Sequence, residues 1–182
     1  MVTIRTEETT MSALTPGRRR DYGDGWEGLL ALWEDTDAPE GCRVELVEGT
    51  VTVAPPPSKS HNAIAEEVQR QLHGLPRIGT EFGIHQTLGL ALPIRSGIFV
   101  PDLAVVPRAA VRGPGTHVVA GEAALGVEVT SKGNAGQDRV TKAAAYAQEG
   151  APLYLLVDCW ATDTPGLVLY GEPEAGVYRT LW

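Results

Sequence analysis

Cysteine is scarce: the 182 residues contain two, Cys42 and Cys159. They have neither the spacing of a metal knuckle nor that of a redox pair. Two isolated cysteines make no disulfide framework, so the expected setting is reducing and cytoplasmic. Long apolar runs are missing too. Stretches such as "TLGLALPI" are too short to span a bilayer, and the N-terminal "MVTIRTEETT" lacks the basic start and apolar middle of a secretory signal. A soluble protein with no membrane partner is expected. Basic residues are in deficit, with 15 Lys and Arg against 23 Asp and Glu and a net charge of -8. That balance counts against a generic nucleic-acid binder. It does not count against a site in which carboxylates gather around divalent cations, because the bound ions invert the local field. His73, His85 and His117 show no zinc-ligand spacing, and no glycine-rich phosphate loop follows a strand.

What is present is a core. With 43% hydrophobic residues the chain can bury one, and a single domain over residues 23–182 is expected behind a polar tail at 1–22. "WEGLLALWEDT" reads as a short amphipathic helix with Trp26, Leu29, Leu30 and Trp33 on one side. "RVELVEGTVTVA" alternates about Glu48-Gly49 as a β-hairpin does. A helix follows from "SHNAIAEEVQRQLHG", with Ser60 as its expected N-cap and Ile64, Ala65, Val68 and Leu72 sharing a face. Two β segments are expected near 80–92 and 98–106, then a Gly/Pro-punctuated connection, then the strand "ALGVEVTS". "NAGQDRVTKAAAYAQEG" is the clearest helix, with Asn134 as cap, Gln137 in the capping-box position and Gly150 at its end. "PLYLLVDCW" is a buried-type strand, and "GLVLYG" with "GVYRTLW" suggests a closing hairpin. The strand–helix–strand unit at 125–158 implies a parallel pair, and one mixed sheet flanked by helices accommodates the whole order.

Three carboxylates stand in apolar strands: Glu45 in "VELV", Asp102 in "VPDLAVV" and Glu128 in "GVEVT". Burying an unpaired carboxylate is costly, so each either faces water or has a use. For Glu45 the alternating hairpin allows a solvent-facing position. Asp102 and Glu128 lie in runs that read as interior strands. Oxygen ligands converging from neighbouring strands suit a hard cation such as Mg²⁺. A cationic side chain would help to orient a nucleophile there, and Lys132 and Lys142 are the candidates. Arg139, Lys142 and Tyr146 share a helical stripe beside Val140, Ala143 and Ala147. The plain alternative for Lys142 is an i,i+4 pair with Asp138. His61 could approach the site or hydrogen-bond the "PPPS" turn, the second being preferred. Asp158 is assigned to fixing the turn after its strand.

"PD" at 101–102 followed by "EVT" at 128–130 looks like the PD-(D/E)XK nuclease signature. The blocks "VELVEGTVTVAPPPSKSHNAIAEEV", "VPDLAVVP" and "VEVTSKGNAGQDRVTKAAAYAQEGAPLYLLVD" resemble the Uma-two family of restriction-endonuclease-like proteins, from Trp26 to the C-terminus. The resemblance implies an α/β fold: a restriction-endonuclease-like mixed β-sheet flanked by helices, with an additional N-terminal helix and β-hairpins. It further implies a metal-dependent endonuclease using Mg²⁺ or Mn²⁺ on nucleic acid, with DNA the expected substrate and a homodimer compatible with cutting both strands. Asp102 and Glu128 match the metal-binding acids, Glu45 an earlier acidic position, and the Val129 carbonyl an added ligand. Thr130 replaces the usual lysine, and Lys142 from the next helix matches the substitute. His61, Thr130, Lys132, Asp138 and Tyr146 are accessory candidates. The alternative is a catalytically impaired nuclease-fold module for nucleic-acid or protein binding.

Overall fold

The computed structural model describes residues 22–23, 25–161 and 166–182, so the expected tail, Tyr22 apart, lies outside the described residues. In chain order the elements are α1 (Trp26–Glu34), β1 (Arg43–Val47), β2 (Thr50–Ala54), α2 (Lys59–His73), β3 (Phe82–His85), β4 (Gly89–Leu92), β5 (Gly97–Phe99) and β6 (Leu103–Pro107). They continue with β7 (His117–Val119), β8 (Leu125–Val129), α3 (Ala143–Gln148), β9 (Leu153–Asp158), β10 (Gly166–Glu174) and β11 (Val177–Leu181).

The strands form two sheets where one was expected. The first runs β2-β1-β5-β4-β7 and the second β11-β10-β9-β8-β6-β3. Both are mixed, since β4 with β7 and β8 with β9 are parallel pairs among antiparallel ones. Each β segment expected at 80–92 and 98–106 is in fact two strands in different sheets. The second break falls at Val100-Pro101-Asp102, where proline cannot donate to a ladder and the chain passes from one sheet to the other. The Gly/Pro-rich connection also hides β7, a three-residue strand too short for a periodic signal.

The β1–β2 hairpin turns through Glu48 (φ 48°) and Gly49 (φ 77°), a left-handed pair that matches strand twist. The Gly49 N–H donates to the Ser96 carbonyl at 2.8 Å. Helix α2 starts one turn-half earlier than expected: Ser58, not Ser60, is its cap, with Oγ accepting from the His61 N–H at 3.2 Å. Ile64, Ala65, Val68 and Leu72 then pack on Leu103, Val105, Val127 and Val129 of the second sheet, as their spacing predicts. On the opposite face Ala104, Val106, Tyr154 and Leu156 meet Ala143, Ala145 and Tyr146 of α3. Strands β6, β8 and β9 are therefore covered on both sides, which is why they read as largely apolar runs. Trp26, Leu29, Leu30 and Trp33 of α1 cover Leu46, Ala91 and Ile98 of the first sheet.

Before α3, the backbone of Gln137–Lys142 is wound as a π-helix, and no side chain caps it. Asn134 does not cap this helix: its Oδ1 turns back to the Ser131 N–H at 3.0 Å. The wide turn also moves the buried stripe. Asp138, Lys142 and Tyr146 point inward, Arg139 turns away, and Val140 is 69% exposed rather than part of the packed face.

Candidate active site

The seam between the sheets gathers the charged residues. Strand β5 hands over to β6 through Asp102, β1 lies beside β5, and β8 lies beside β6, so Glu45, Asp102 and Glu128 come together from three strands. All three are buried, so Glu45 does not take the solvent-facing alternative. Its Oε1 accepts from the Val100 N–H at 2.8 Å and from Lys142 Nζ at 3.1 Å. Lys142, 1% exposed, also donates to Glu128 Oε1 at 2.7 Å and stands 3.6 Å from Asp138 Oδ1. The expected i,i+4 pair thus exists, but as one edge of a lysine held among three carboxylates.

Asp102 has a different set of partners. Its Oδ2 accepts from the Val129 N–H at 2.8 Å and lies 3.2 Å from His61 Nε2, and its Oδ1 takes Arg43 Nη2 at 2.7 Å. His61 Nε2 also sits 3.0 Å from the Val129 carbonyl. With two acceptors facing it, that nitrogen carries the proton. The side chain of His61 therefore reaches the site and not the "PPPS" turn; only its backbone joins the Ser58 cap. Arg43 was missed in the sequence. Its signal was the period of the strand: Arg43 and Glu45 are two apart and share a face, so an inward Glu45 brings Arg43 inward as well.

The charges are unbalanced. Burial opposes ionisation of Asp102, but hydrogen bonding to His61 and the charges of Arg43 and His61 hold its carboxyl down at about 2. The hydrogen bond to Asp102 raises His61. Burial raises Asp138 to about 6, helped by the charges of Glu45 and Asp102 and opposed by Lys142. Burial and the same crowd of carboxylates push Glu128 up, against the pull of Lys142. Lys142 is raised, because the charges of Glu128, Glu45 and Asp138 outweigh its burial. Four buried carboxylates thus face two permanent cations, Lys142 and Arg43.

The donors fit a hard cation in kind: carboxylate oxygens, the Val129 carbonyl and both Asp138 oxygens, which are buried without a hydrogen-bond partner. They are not arranged around one, since among the described residues no three acidic, histidine or cysteine side chains form a ready-made metal group. Lys142 and Arg43 occupy the acid oxygens instead. Other expected participants lie apart. Lys132 is exposed on the turn after β8. Tyr146 is fully buried, its hydroxyl without a partner and its ring against Phe99 and Tyr154. Thr130 is buried, with Oγ1 donating to Asp158 Oδ1 at 3.2 Å and accepting the Cys159 N–H at 2.9 Å. Asp158 does fix its turn through the Trp160 N–H at 3.1 Å, and it also binds Arg139 at 2.7 Å.

A cleft of about 910 Å³ opens onto Asp102, lined by Trp33, Arg43, Asn62, Gln69 and Gln86 among others. No helix among the described residues is long and apolar enough to cross a membrane.

No curated protein matches the chain significantly. Among solved structures it is similar to one described as a putative nuclease belonging to DUF820 from Anabaena variabilis ATCC 29413. The two share 15% sequence identity, with a TM-score of 0.60 over 84% of this chain and 87% of the other. That likeness establishes the α/β fold. The acids at the sheet seam, the lysine from the following helix and the sequence blocks around them lie within the span, residues 26–181, that matches the Uma2 model, described as putative restriction endonuclease, and the chain belongs to that family.

Proposed function

We propose that the chain is a divalent-metal-dependent endonuclease that hydrolyses phosphodiester bonds in DNA. The observation that carries the reading is the seam cluster: Glu45, Asp102 and Glu128 buried together with Lys142 donating to two of them. Buried charge of this kind is expensive and is retained where it works. Asp102, Glu128 and the Val129 carbonyl would hold Mg²⁺ or Mn²⁺, with Glu45 assisting. Such an ion supplies Lewis-acid polarisation of a phosphoryl oxygen and hydroxide at neutral pH. Lys142 offsets charge developing at phosphorus and orients the attacking water, from a position that Glu45 and Glu128 fix. His61 holds Asp102 Oδ2 and the Val129 carbonyl in place, and Asp138 pulls Lys142 toward the helix.

Supercoiled plasmid and single-stranded DNA incubated with Mg²⁺ or Mn²⁺ test the reading. Cleavage by the wild type, reduced at least about 100-fold in Asp102→Asn and Glu128→Gln, is expected from loss of a charge-stabilising group. Activity that survives both substitutions would defeat the assignment. The competing reading is a module that keeps the fold for nucleic-acid or protein contact. It is favoured by Thr130, whose hydroxyl is committed to Asp158 and Cys159 where related nucleases carry a lysine. Divalent ions that neither bind nor raise thermal stability support that module instead.

A further inference from the structure

The two oxygens of Asp102 are held unequally. Oδ2 is fixed from inside the protein by the Val129 N–H and His61, whereas Oδ1 is held by Arg43 alone. A cation approaching Asp102 therefore meets Oδ1, and meets Arg43 on it. The guanidinium is only partly engaged. Of its five N–H donors, only those on Nη2 find an acceptor among the described residues, and the side chain is 25% exposed where Asp102 is 4% exposed. It also lines the cleft, in which it is the one lysine or arginine among the described lining residues, beside the acids Glu34 and Glu66. A phosphate entering this cleft has one cationic side chain to meet, and it is the one whose planar fork suits a phosphate.

We propose that Arg43 is a substrate-binding residue with two positions. It covers Asp102 Oδ1 until a divalent cation takes that oxygen, and then turns into the cleft to grip a phosphate of the bound strand. This rests on the metal-dependent nuclease reading and adds to it an order of events. Metal loading and phosphate binding become linked, because the ion releases the group that the strand needs. Metal and Arg43 compete for one oxygen, so removing the guanidinium strengthens metal binding and weakens DNA binding. A purely structural ion pair would compete with the metal in the same way, but its loss would leave DNA binding unchanged.

Mn²⁺ titration by calorimetry, without nucleic acid, is made on the wild type, Arg43→Gln and Asp102→Asn. Fluorescence anisotropy of a labelled oligonucleotide in Ca²⁺ is measured across a salt series. Arg43→Gln is expected to bind Mn²⁺ about fivefold more tightly, the worth of a competing ion pair that is mostly buried on the Asp102 side and partly exposed on the Arg43 side. It is expected to bind DNA about tenfold more weakly, with the slope of log affinity against log salt reduced by about 1. Wild-type affinity for either Mn²⁺ or DNA overturns the proposal. If the wild type binds no Mn²⁺ at all, the nuclease reading falls with it. If the wild type binds Mn²⁺, Asp102→Asn does not and Arg43→Gln matches the wild type, only the role of Arg43 falls. Should Arg43→Gln fail to fold, Arg43→Lys carries the test. It keeps the charge and loses the fork, so DNA affinity drops severalfold, and parity with the wild type overturns the proposal.

Discussion

Thr130 shows how one residue can leave a motif and take up a different set of partners. It stands where the E-x-K element carries lysine, yet its hydroxyl bridges Asp158 and the Cys159 N–H across two parallel strands. At 2% exposure it has no room for a four-carbon amine directed at Glu128. Thr130→Val keeps the shape and strips the hydroxyl, leaving the Cys159 N–H without its acceptor. Urea denaturation should show a loss of about 1–3 kcal/mol, the cost of an unsatisfied buried donor. Metal affinity should not change, since the acid that Thr130 touches is Asp158, outside the seam cluster of Glu45, Asp102, Glu128 and Asp138. A Thr130→Val protein as stable as the wild type would mean that the bridge contributes nothing. Arg43 and His61 make the complementary point. Each is a side chain whose role depends on a partner distant in sequence, and neither carried a local signal strong enough to place it at Asp102.

At the scale of elements, the helix after β8 decides the site. Regular α spacing placed Arg139, Lys142 and Tyr146 on one stripe, but the π-wound turn over Gln137–Lys142 replaces Arg139 with Asp138. Wide turns of this kind recur at functional sites, and this one puts a carboxyl with no hydrogen-bond partner beside Lys142. The sign of its pH effect follows from its raised pKa. Between the usual value of 3.8 and about 6 the folded state binds more protons than the unfolded state, so stability falls as pH rises through that window. Asp138→Asn should flatten this slope, and at pH 7 should gain up to about 3 kcal/mol over the wild type. Thermal melts from pH 4 to 7 check it; parallel curves for the two proteins would show that Asp138 is not the titrating group. The sequence made the hairpins, the α2 face and the β8–α3–β9 crossover legible because each is a run of local periodicity. It hid the division into two sheets, since Pro101 marks a break without saying that a new sheet begins. The seam acids were visible as charges in apolar strands. Their arrangement was not, because Lys142 meets Glu45 from 97 positions away.

For the whole molecule, a net charge of -8 means that the proposed binding to DNA would draw on cations that the protein takes up. The site is built with that deficit: four buried carboxylates, two permanent cations, and acids at Asp138 and Glu128 that burial makes harder to ionise. A divalent ion bound there, as the proposed function requires, would compete with protons on those acids, so its affinity would rise with pH. At a free concentration 100 times its dissociation constant a ligand stabilises the folded state by about 2.7 kcal/mol, or roughly 5–10 °C in Tm for a chain of this size. Mn²⁺ at one fixed concentration should therefore raise Tm more at pH 8 than at pH 6, and calorimetry in buffers of different ionisation enthalpy should register proton release at pH 6. Equal increments at the two pH values would mean that the ion binds without displacing protons, away from the seam. On the proposed function DNA binding should follow the same ordering, weak in chelator, stronger with metal, and weaker at the lower pH for a given metal concentration, because protons on Glu128 and Asp138 would compete with the ion.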